Sequence, residues 1–522
     1  MRDGWRQAMG WLHTWAGLVT GWLLCATFLT GTLSVFREPI TRWMQAAPPL
    51  PAAARPMADG AAAQAAVDYL AGAAPGARFW RIELPARPGE ALQLAWRGKD
   101  GAQQRAFDPA SGTVLPPAWG RKTEGGRHFM SFHYSLQAGI AGFWIVGVVA
   151  MGMLVALVSG VIVHKRIFAD FFTFRPGKGQ RSWLDAHNAC GVLALPFLFM
   201  ITLTGLWIFY SSYLPLPLQA AFGSGDAGYE RLATALAGEP EAPRRKATGQ
   251  PAPLPPMVPL LARATQLIGG DAALLLVERP GDSSMAVRVV GRAKDDGDSP
   301  RILNQPGTVT VDGASGAVLA LRKADPVEES VGSATHRVVE HLHYARFGGW
   351  TMRWLYFASG LAGTALMATG TVLYLVKRRQ KSLGEFGRAT PLAYRCIEAV
   401  NIAAISGCAL ACIAYFYGNR LIPADLATRP AWEIRVFLLA WLGSLVHAAL
   451  RPRTAAWVEQ LALGALLCAG LPVLNYLTTG LHLGVYAAHG DWQGAGVELA
   501  SIGFGVLLAC AARQARRNGD KS

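Results

Sequence analysis

Hydrophobic positions along the chain fall into long uninterrupted runs rather than short amphipathic stripes. About 20 consecutive apolar residues cross a hydrocarbon core as a helix, and runs of that order occupy 11–36, 138–163, 187–212, 351–376, 393–417, 432–450, 456–478 and 494–512. The pattern predicts a mostly α, polytopic membrane protein with eight transmembrane helices. Two long polar segments, 37–137 and 213–350, separate the first four runs. In each, a helical stretch (Ala61 to Leu70; Met257 to Ile268) precedes alternating or apolar runs (Phe79 to Leu84 and Ala91 to Trp96; Ala273 to Val277 and Ala286 to Val290). That order predicts a helix packed on a small antiparallel sheet, a small α+β domain, in both segments. Residues 223–259, rich in Ala, Pro and Gly with scattered charge, read as a mobile connector that the first segment lacks.

The chain also repeats itself, and the repeat governs how single residues are read. His13 is followed by Gly17 and by Thr30-Gly31; His187 is followed by Gly191 and Thr204-Gly205, at the same offsets. His133-Tyr134 leads to Ser159-Gly160, and His343-Tyr344 leads to Thr369-Gly370, again at one offset. Asp108–Leu115 echoes Asp312–Leu319, each a D-x-x-S-G turn ahead of an apolar strand. Two tandem units of helix, polar domain, helix therefore account for residues 1–376: spans at 1–36, 138–164, 187–212 and 351–376, domains at 37–137 and 213–350, and a basic loop at 165–186. Residues 391–522 add four further spans. Because the symmetric unit ends near Lys381, those spans are expected to be dispensable for whatever the repeat does.

Charge fixes an expected orientation. With 16% charged residues and a net charge of +15, a soluble chain would suggest a nucleic-acid partner. Here the basic residues instead follow the even-numbered spans, at Lys165, Arg166, Arg175, Lys178 and Arg181, at Lys377, Arg378, Arg379 and Lys381, at Arg451 and Arg453, and at Arg513, Arg516 and Arg517. The positive-inside rule then places both termini in the cytoplasm and both polar segments in the periplasm of a bacterial inner membrane, and no nucleic acid is expected. The first run is too long for a signal-peptide core and reads as a retained anchor. Seven cysteines form no C-x-x-C pair and no C-x-x-C-H signal, which argues against covalent haem and a disulfide framework. No Walker, dinucleotide-binding, H-E-x-x-H or G-x-S-x-G pattern is present.

The candidate chemistry lies in histidines. An ionisable side chain in a membrane span costs a few kcal/mol on insertion scales, about 2.5–3.5 for a charge, so a histidine there is a functional candidate. One such residue at a span end is ordinarily interfacial, but here the repeat supplies two pairs: His13 with His187 at the inner ends of odd spans, and His133 with His343 at the outer ends of even ones. Neutral imidazole is an axial ligand of haem iron, and bis-ligation in a helical bundle takes one histidine from each of two helices. The pattern predicts a four-helix bundle binding two b haems. His164, at the inner end of the second span, is unmatched in the repeat, which places Tyr374 there. It is a third inner candidate, either replacing an inner ligand or hydrogen-bonding a haem propionate. Gly147, Gly152, Gly160, Gly360, Gly363 and Gly370 serve close helix packing or make room for a flat macrocycle.

At Leu12-His13 with Gly17 and Thr30-Gly31, at the run from His164 to Pro176, at His187-Asn188 with Gly191 and Leu203-Thr204-Gly205, and at Leu342-His343-Tyr344 with Phe347-Gly348-Gly349, the chain resembles the PepSY-associated transmembrane family, which includes bacterial ferric-siderophore reductases. The resemblance covers residues 1 to about 380 and implies periplasmic PepSY domains on a four-helix core, b haem on membrane histidines, and delivery of electrons to iron chelates. Ferric siderophore is then the expected substrate, membrane quinol or a cytoplasmic donor the electron source, and siderophore uptake proteins conceivable partners. Two other classes are open: a regulatory or binding protein whose PepSY domains restrain a periplasmic partner, which leaves the paired histidines without a task, and a transporter of iron chelate using the repeat for alternating access.

Overall fold

The computed structural model describes residues 2–47, 50, 57–85, 90–98, 101–116, 119–164, 180–237, 245–292, 302, 306–324, 331–379 and 387–519. The basic positions Lys165, Arg166, Arg175, Lys178 and Lys381 lie outside them. The chain divides into two compact units, one comprising Met1–Ala46, Gly120–Leu206 and Arg353–Ser522, the other Ala47–Trp119 and Trp207–Met352.

The first unit is helical. Its long helices are α1 (Arg2–Ser34), α5 (Gly139–Val163), nearly all of α6 (Gln180–Ile208) and α12 (Gly349–Arg379), then α13 (Thr390–Ile402), which runs through a π turn at Ala403–Gly407 into α14 (Cys408–Leu421), and α15 (Arg429–Leu450), α16 (Arg453–Thr479) and α18 (Trp492–Gly519). Eight stretches are long and apolar enough to cross a membrane among the described residues, and they coincide with the eight hydrophobic runs. The third begins at Gln180 and ends at Ile208, earlier at both ends than the run 187–212 suggests. On α5 the two faces separate cleanly: Val149, Met153 and Leu157 are buried, while Ile140, Trp144, Val148 and Val155 are exposed. Large apolar side chains on the exposed face as well as on the buried one suit a helix whose surroundings are lipid. A Cβ on Gly152 would lie 2.5 Å from Thr20 of α1, and one on Gly363 would lie 2.8 Å from Phe28 and Leu198. Three short helices, α2 (Arg37–Gln45), α4 (Arg127–Ser135) and α17 (Leu483–Ala488), complete this unit.

The four later spans are built into the repeat rather than appended to it. Phe129 and Phe132 of α4 share one buried cluster with Tyr415 and Phe416 of α14 and Phe437 of α15. Trp22 of α1 donates to Asn401 of α13 at 2.5 Å, and the Asn401 amide donates to the Thr371 carbonyl of α12 at 3.2 Å.

In the second unit the two polar segments do not form separate sheets, as their repeat suggests, but one. Strands β1 (Phe79–Glu83), β2 (Leu92–Gly98), β3 (Gly101–Asp108) and β4 (Thr113–Val114) from the first segment, and β5 (Ala272–Glu278), β6 (Ala286–Gly291), β7 (Thr308–Asp312) and β8 (Val318–Arg322) from the second, are ordered β4-β3-β2-β1-β5-β6-β7-β8. The two copies join edge to edge, β1 pairing antiparallel with β5 from Phe79 opposite Glu278 to Glu83 opposite Leu274. Each copy thereby covers the other's exposed strand edge. Helices α3 (Asp59–Ala73) and α10 (Met257–Ile268) contribute Ala66, Leu70, Leu261 and Ala264 to the same core as Trp80, Leu94, Leu275 and Val289. The D-x-x-S-G turns close alike: Asp108 Oδ1 accepts from Ala110 N at 3.0 Å, and Asp312 Oδ1 from Ala314 N at 2.9 Å. The connector is more structured than its composition suggests: α7 (Tyr210–Tyr213) and α8 (Pro215–Phe222) lead into it, and α9 (Gly225–Ala237) lies within it, ahead of α11 (Val331–Tyr344).

Candidate cofactor site

Three of the predicted histidines of the helical unit sit in one local arrangement, each against a neighbouring helix. His13 of α1 lies on α5, where its Nδ1 donates to the Ala156 carbonyl at 2.9 Å and a Cβ on Gly160 would lie 3.0 Å from its Cε1. His187 of α6 lies on α12, where Nδ1 donates to the Leu366 carbonyl at 3.1 Å and a Cβ on Gly370 would lie 3.0 Å from Cε1. His133 of α4 lies on α1, where Nδ1 donates to the Thr27 carbonyl at 2.7 Å and a Cβ on Gly31 would lie 2.6 Å from the ring. In every case the acceptor is the carbonyl four residues before the glycine. The glycine removes the side chain that would occlude the groove, and the carbonyl at its rim receives the ring.

Hydroxyls flank two of these sites, Ser159 Oγ at 3.5 Å from His13 Nδ1 and Thr369 Oγ1 at 3.4 Å from His187 Nδ1. Three of the four Ser/Thr-Gly pairs that recur in the sequence, Thr30-Gly31, Ser159-Gly160 and Thr369-Gly370, are thus histidine seats on a partner helix. Gly160 and Gly370 make room for imidazole rings, a use of the small residues distinct from plain helix packing and from clearing space for a macrocycle. Sequence reasoning missed this cross-pairing although its signal, the repeated Ser/Thr-Gly offset, was visible.

A backbone carbonyl can only accept, so Nδ1 carries the proton in each ring and the neutral imidazole presents its lone pair at Nε2. Among the described residues, Nε2 of His13 and of His187 makes no hydrogen bond. The two ring centroids lie 6.3 Å apart, with the planes inclined at 68°. That separation is close to two metal–nitrogen bonds of about 2 Å each with half an imidazole beyond either bond. A histidine held through Nδ1–H by a carbonyl is also how proteins fix a metal ligand's tautomer and ring orientation. The residues present therefore fit an iron held between His13 and His187. His164 caps α5 four residues beyond Gly160, where His13 is seated, so the three inner candidates gather at one end.

His133 is seated elsewhere. Gly31 stands 18 residues beyond His13 on α1, about 27 Å of helix, so His133 and His13 occupy opposite ends of the bundle. His343 belongs to the second unit, on α11, with its ring 5.7 Å from that of Tyr344.

A second polar constellation, in the four later spans, has no counterpart in the sequence pattern. Arg429 and Glu433, one turn apart on α15 and both fully buried, pair at 2.6 Å. Glu433 also accepts from Asn419 at 2.7 Å and from Thr123 at 2.5 Å. Arg420 lies 3.7 Å over the Trp43 ring, donates to the Trp43 carbonyl at 2.6 Å and to Asn475 at 2.8 Å, and Asn475 donates to Glu498 at 2.7 Å. Each residue is an ordinary helix-end polar group in the sequence, and its partners come from helices distant along the chain.

These features define a polytopic membrane protein with a histidine-bearing helical core and a paired α+β unit. The chain belongs to the PepSY-associated TM region family, whose profile matches residues 10–377, so α13–α18 follow the matched region. An uncharacterized protein of Pseudomonas aeruginosa is 26% identical over 404 residues, covering 73% of this chain and 92% of its own.

Proposed function

We propose that this protein is a b-haem electron carrier of the bacterial inner membrane that reduces ferric siderophore in the periplasm. The observation that carries the reading is the facing pair His13 and His187, with Nδ1 of each tied to a neighbouring backbone and both rings 6.3 Å apart. Haem iron bound there would supply one-electron chemistry. The chain's own part is to hold both imidazoles neutral and oriented: the Ala156 and Leu366 carbonyls fix the tautomer, and Gly160 and Gly370 fix the depth of each ring. His164 stands beside this pair, and the repeat matches His133 with His343, which would hold a second haem. With the termini in the cytoplasm and the α+β unit in the periplasm, electrons enter from quinol or a cytoplasmic donor and leave at the periplasmic end. Reduction loosens the metal because oxygen-rich chelators hold the harder Fe(III) better than Fe(II).

Purified protein from haem-replete cells should show a dithionite-sensitive Soret and alpha band, and His13→Ala and His187→Ala should each abolish the same one of two haem signals. Dithionite-reduced protein mixed anaerobically with ferric chelates and an Fe(II) trap should reoxidise. A colourless folded preparation overturns the haem assignment, and a haem that no chelate reoxidises overturns the siderophore assignment.

A further inference from the structure

The connector that the first polar segment lacks builds a cavity in the second. Helix α9, the start of α7 and one face of α11 enclose about 350 Å³, lined by Tyr210, Tyr229, Ser333, His336, Arg337 and Glu340 with apolar side chains between them. Sites for small molecules occupy roughly 300–1,000 Å³ and combine apolar walls with a few convergent polar groups. Here the polar groups are mostly donors. Tyr210, Tyr229 and Ser333 bring hydroxyls, Arg337 is a buried cation, and the Glu340 carboxylate is engaged by Arg346 at 3.3 Å.

His336 is the lining residue with an unsatisfied atom. Its Nδ1 is shut off from solvent and has no hydrogen-bond partner among the described residues, while its ring stands 6.1 Å from that of Tyr210. A buried polar atom left without a partner costs on the order of 1–3 kcal/mol, a cost the ring relieves by turning Nδ1 toward a polar group that enters the cavity. The cavity also has a direction. His336, Glu340 and His343 recur at i, i+4 and i+7 and share one stripe of α11, so the cavity and His343 lie about 10 Å apart along that helix.

We propose that this cavity seats the electron acceptor, an oxygen-rich anionic ferric chelate or one carboxylate-bearing arm of it, with His336, Tyr210 and Arg337 as its recognition groups. The inference rests on the electron-transfer reading above. The step it serves is the gain of one electron by Fe(III) to give Fe(II), supplied by ferrous haem iron that becomes ferric, with no bond made to the protein.

Gallium(III) citrate, an anionic chelate that accepts no electron under these conditions, separates the seat from the chemistry. Titrated calorimetrically into the full chain in phosphatidylcholine nanodiscs, it should bind saturably at one site. His336→Ala and Tyr229→Ala should each weaken binding at least tenfold with the haem spectrum unchanged. Tyr229 is 67% exposed, so its replacement leaves the fold intact. Arg263→Ala, on an exposed face of α10, should bind as the parent does. The proposal is overturned if gallium citrate fails to bind, if both cavity variants bind like the parent, or if metal-free citrate binds equally well. If gallium citrate binds through these residues but ferric citrate does not reoxidise the reduced protein, the cavity stands as a chelate site and the electron-transfer reading falls.

Discussion

The four helices of the repeat and the four spans that follow both bury polar side chains, and they treat them in opposite ways. In the first set His13, His133 and His187 each have Nδ1 tied to a carbonyl of a neighbouring helix, and His13 and His187 keep Nε2 turned to no partner among the described residues. In the second set Arg420, Arg429, Glu433, Asn419 and Asn475 are consumed by one another and by the backbone, Arg429 Nε and Glu498 Oε2 being the atoms without a partner among the described residues. A buried charge is tolerated when it is paired and hydrogen-bonded, so the second set is a clamp, whereas His13 and His187 each keep one ring nitrogen available, as the proposed haem requires. What the clamp holds is specific. Arg420 grips the Trp43 and Met44 carbonyls of α2, Arg429 the Lys122 carbonyl, Glu433 the Thr123 hydroxyl and Tyr415 the Gly125 carbonyl, and this last segment leads directly into α4 with His133.

Cutting the chain after residue 385 tests the comparison most severely. The end of the symmetric unit near Lys381 suggests that the later spans are dispensable, but the structure argues for a split outcome. Truncation strips Tyr415, Phe416 and Phe437 from the aromatic face of α4 and every clamp from the 121–125 segment. The His13 and His187 seats keep their own carbonyls and glycines on α5 and α12, and lose only the Asn401 bonds to Trp22 and to the Thr371 carbonyl. The haem content of the truncated protein should fall from two per chain to one, with the His13/His187 signal retained. Two haems per chain after truncation would show that the extension does not hold the His133 end.

A gentler break is Glu433→Ala. It leaves the Arg429 guanidinium fully buried without its carboxylate and strands Asn419 and Thr123 as well. Removing one member of a buried pair costs about 3–5 kcal/mol, and thermal unfolding in detergent should show it, with Glu433→Gln losing less because an acceptor oxygen remains. On the core side, Gly160→Ala and Gly370→Ala each place a methyl 3.0 Å from a histidine ring. The ring must move by a few tenths of an ångström, at about 2 kcal/mol in a packed interior. The band of the His13/His187 haem should shift or weaken while the unfolding of the clamp region stays unchanged.

Span positions, the repeat, the helices α3 and α10 and six of the eight strands are legible in the sequence because each is written in local periodicity or announced by a turn. The shared sheet is not, since β1–β5 pairing joins segments almost 200 residues apart and nothing in either strand names its neighbour. Strand β3 escapes because its alternation is carried by Gln and Arg rather than by apolar residues, whereas β7 alternates openly as Thr308-Val309-Thr310-Val311 and its signal is only short. The histidines are legible as candidates through repetition, but which helix seats each one depends on where α5 and α12 pack. The clamp is hidden for a sharper reason: Arg420, Asn475 and Glu498 look like polar helix ends until the fold removes them from water.

The smallest expected effect lies on the clamp side, at His128. This residue of α4 is fully buried, stacked at 4.4 Å on Tyr415, with Nδ1 3.0 Å from the Gln137 amide nitrogen and Nε2 without a partner among the described residues. Burial pushes its imidazole down to about 3 from an ordinary 6.5. The folded state thus holds His128 neutral while the unfolded chain protonates it below about pH 6.5. Above that pH both states are neutral and stability is independent of this group. Below it the unfolded state binds a proton that the folded state refuses, so stability falls as pH drops through the window from about 6.5 to about 3. The loss is at most about 1.4 kcal/mol per pH unit. His128→Phe keeps an aromatic ring in the same cage and removes the titration. Other groups contribute equally to parent and variant, so the difference between the two unfolding curves isolates His128. Between pH 7 and pH 5.5 the variant should gain about 1.4 kcal/mol on the parent. A difference that stays constant with pH would show that His128 takes up its proton in the folded state, and that the α4 face of the clamp is open to water.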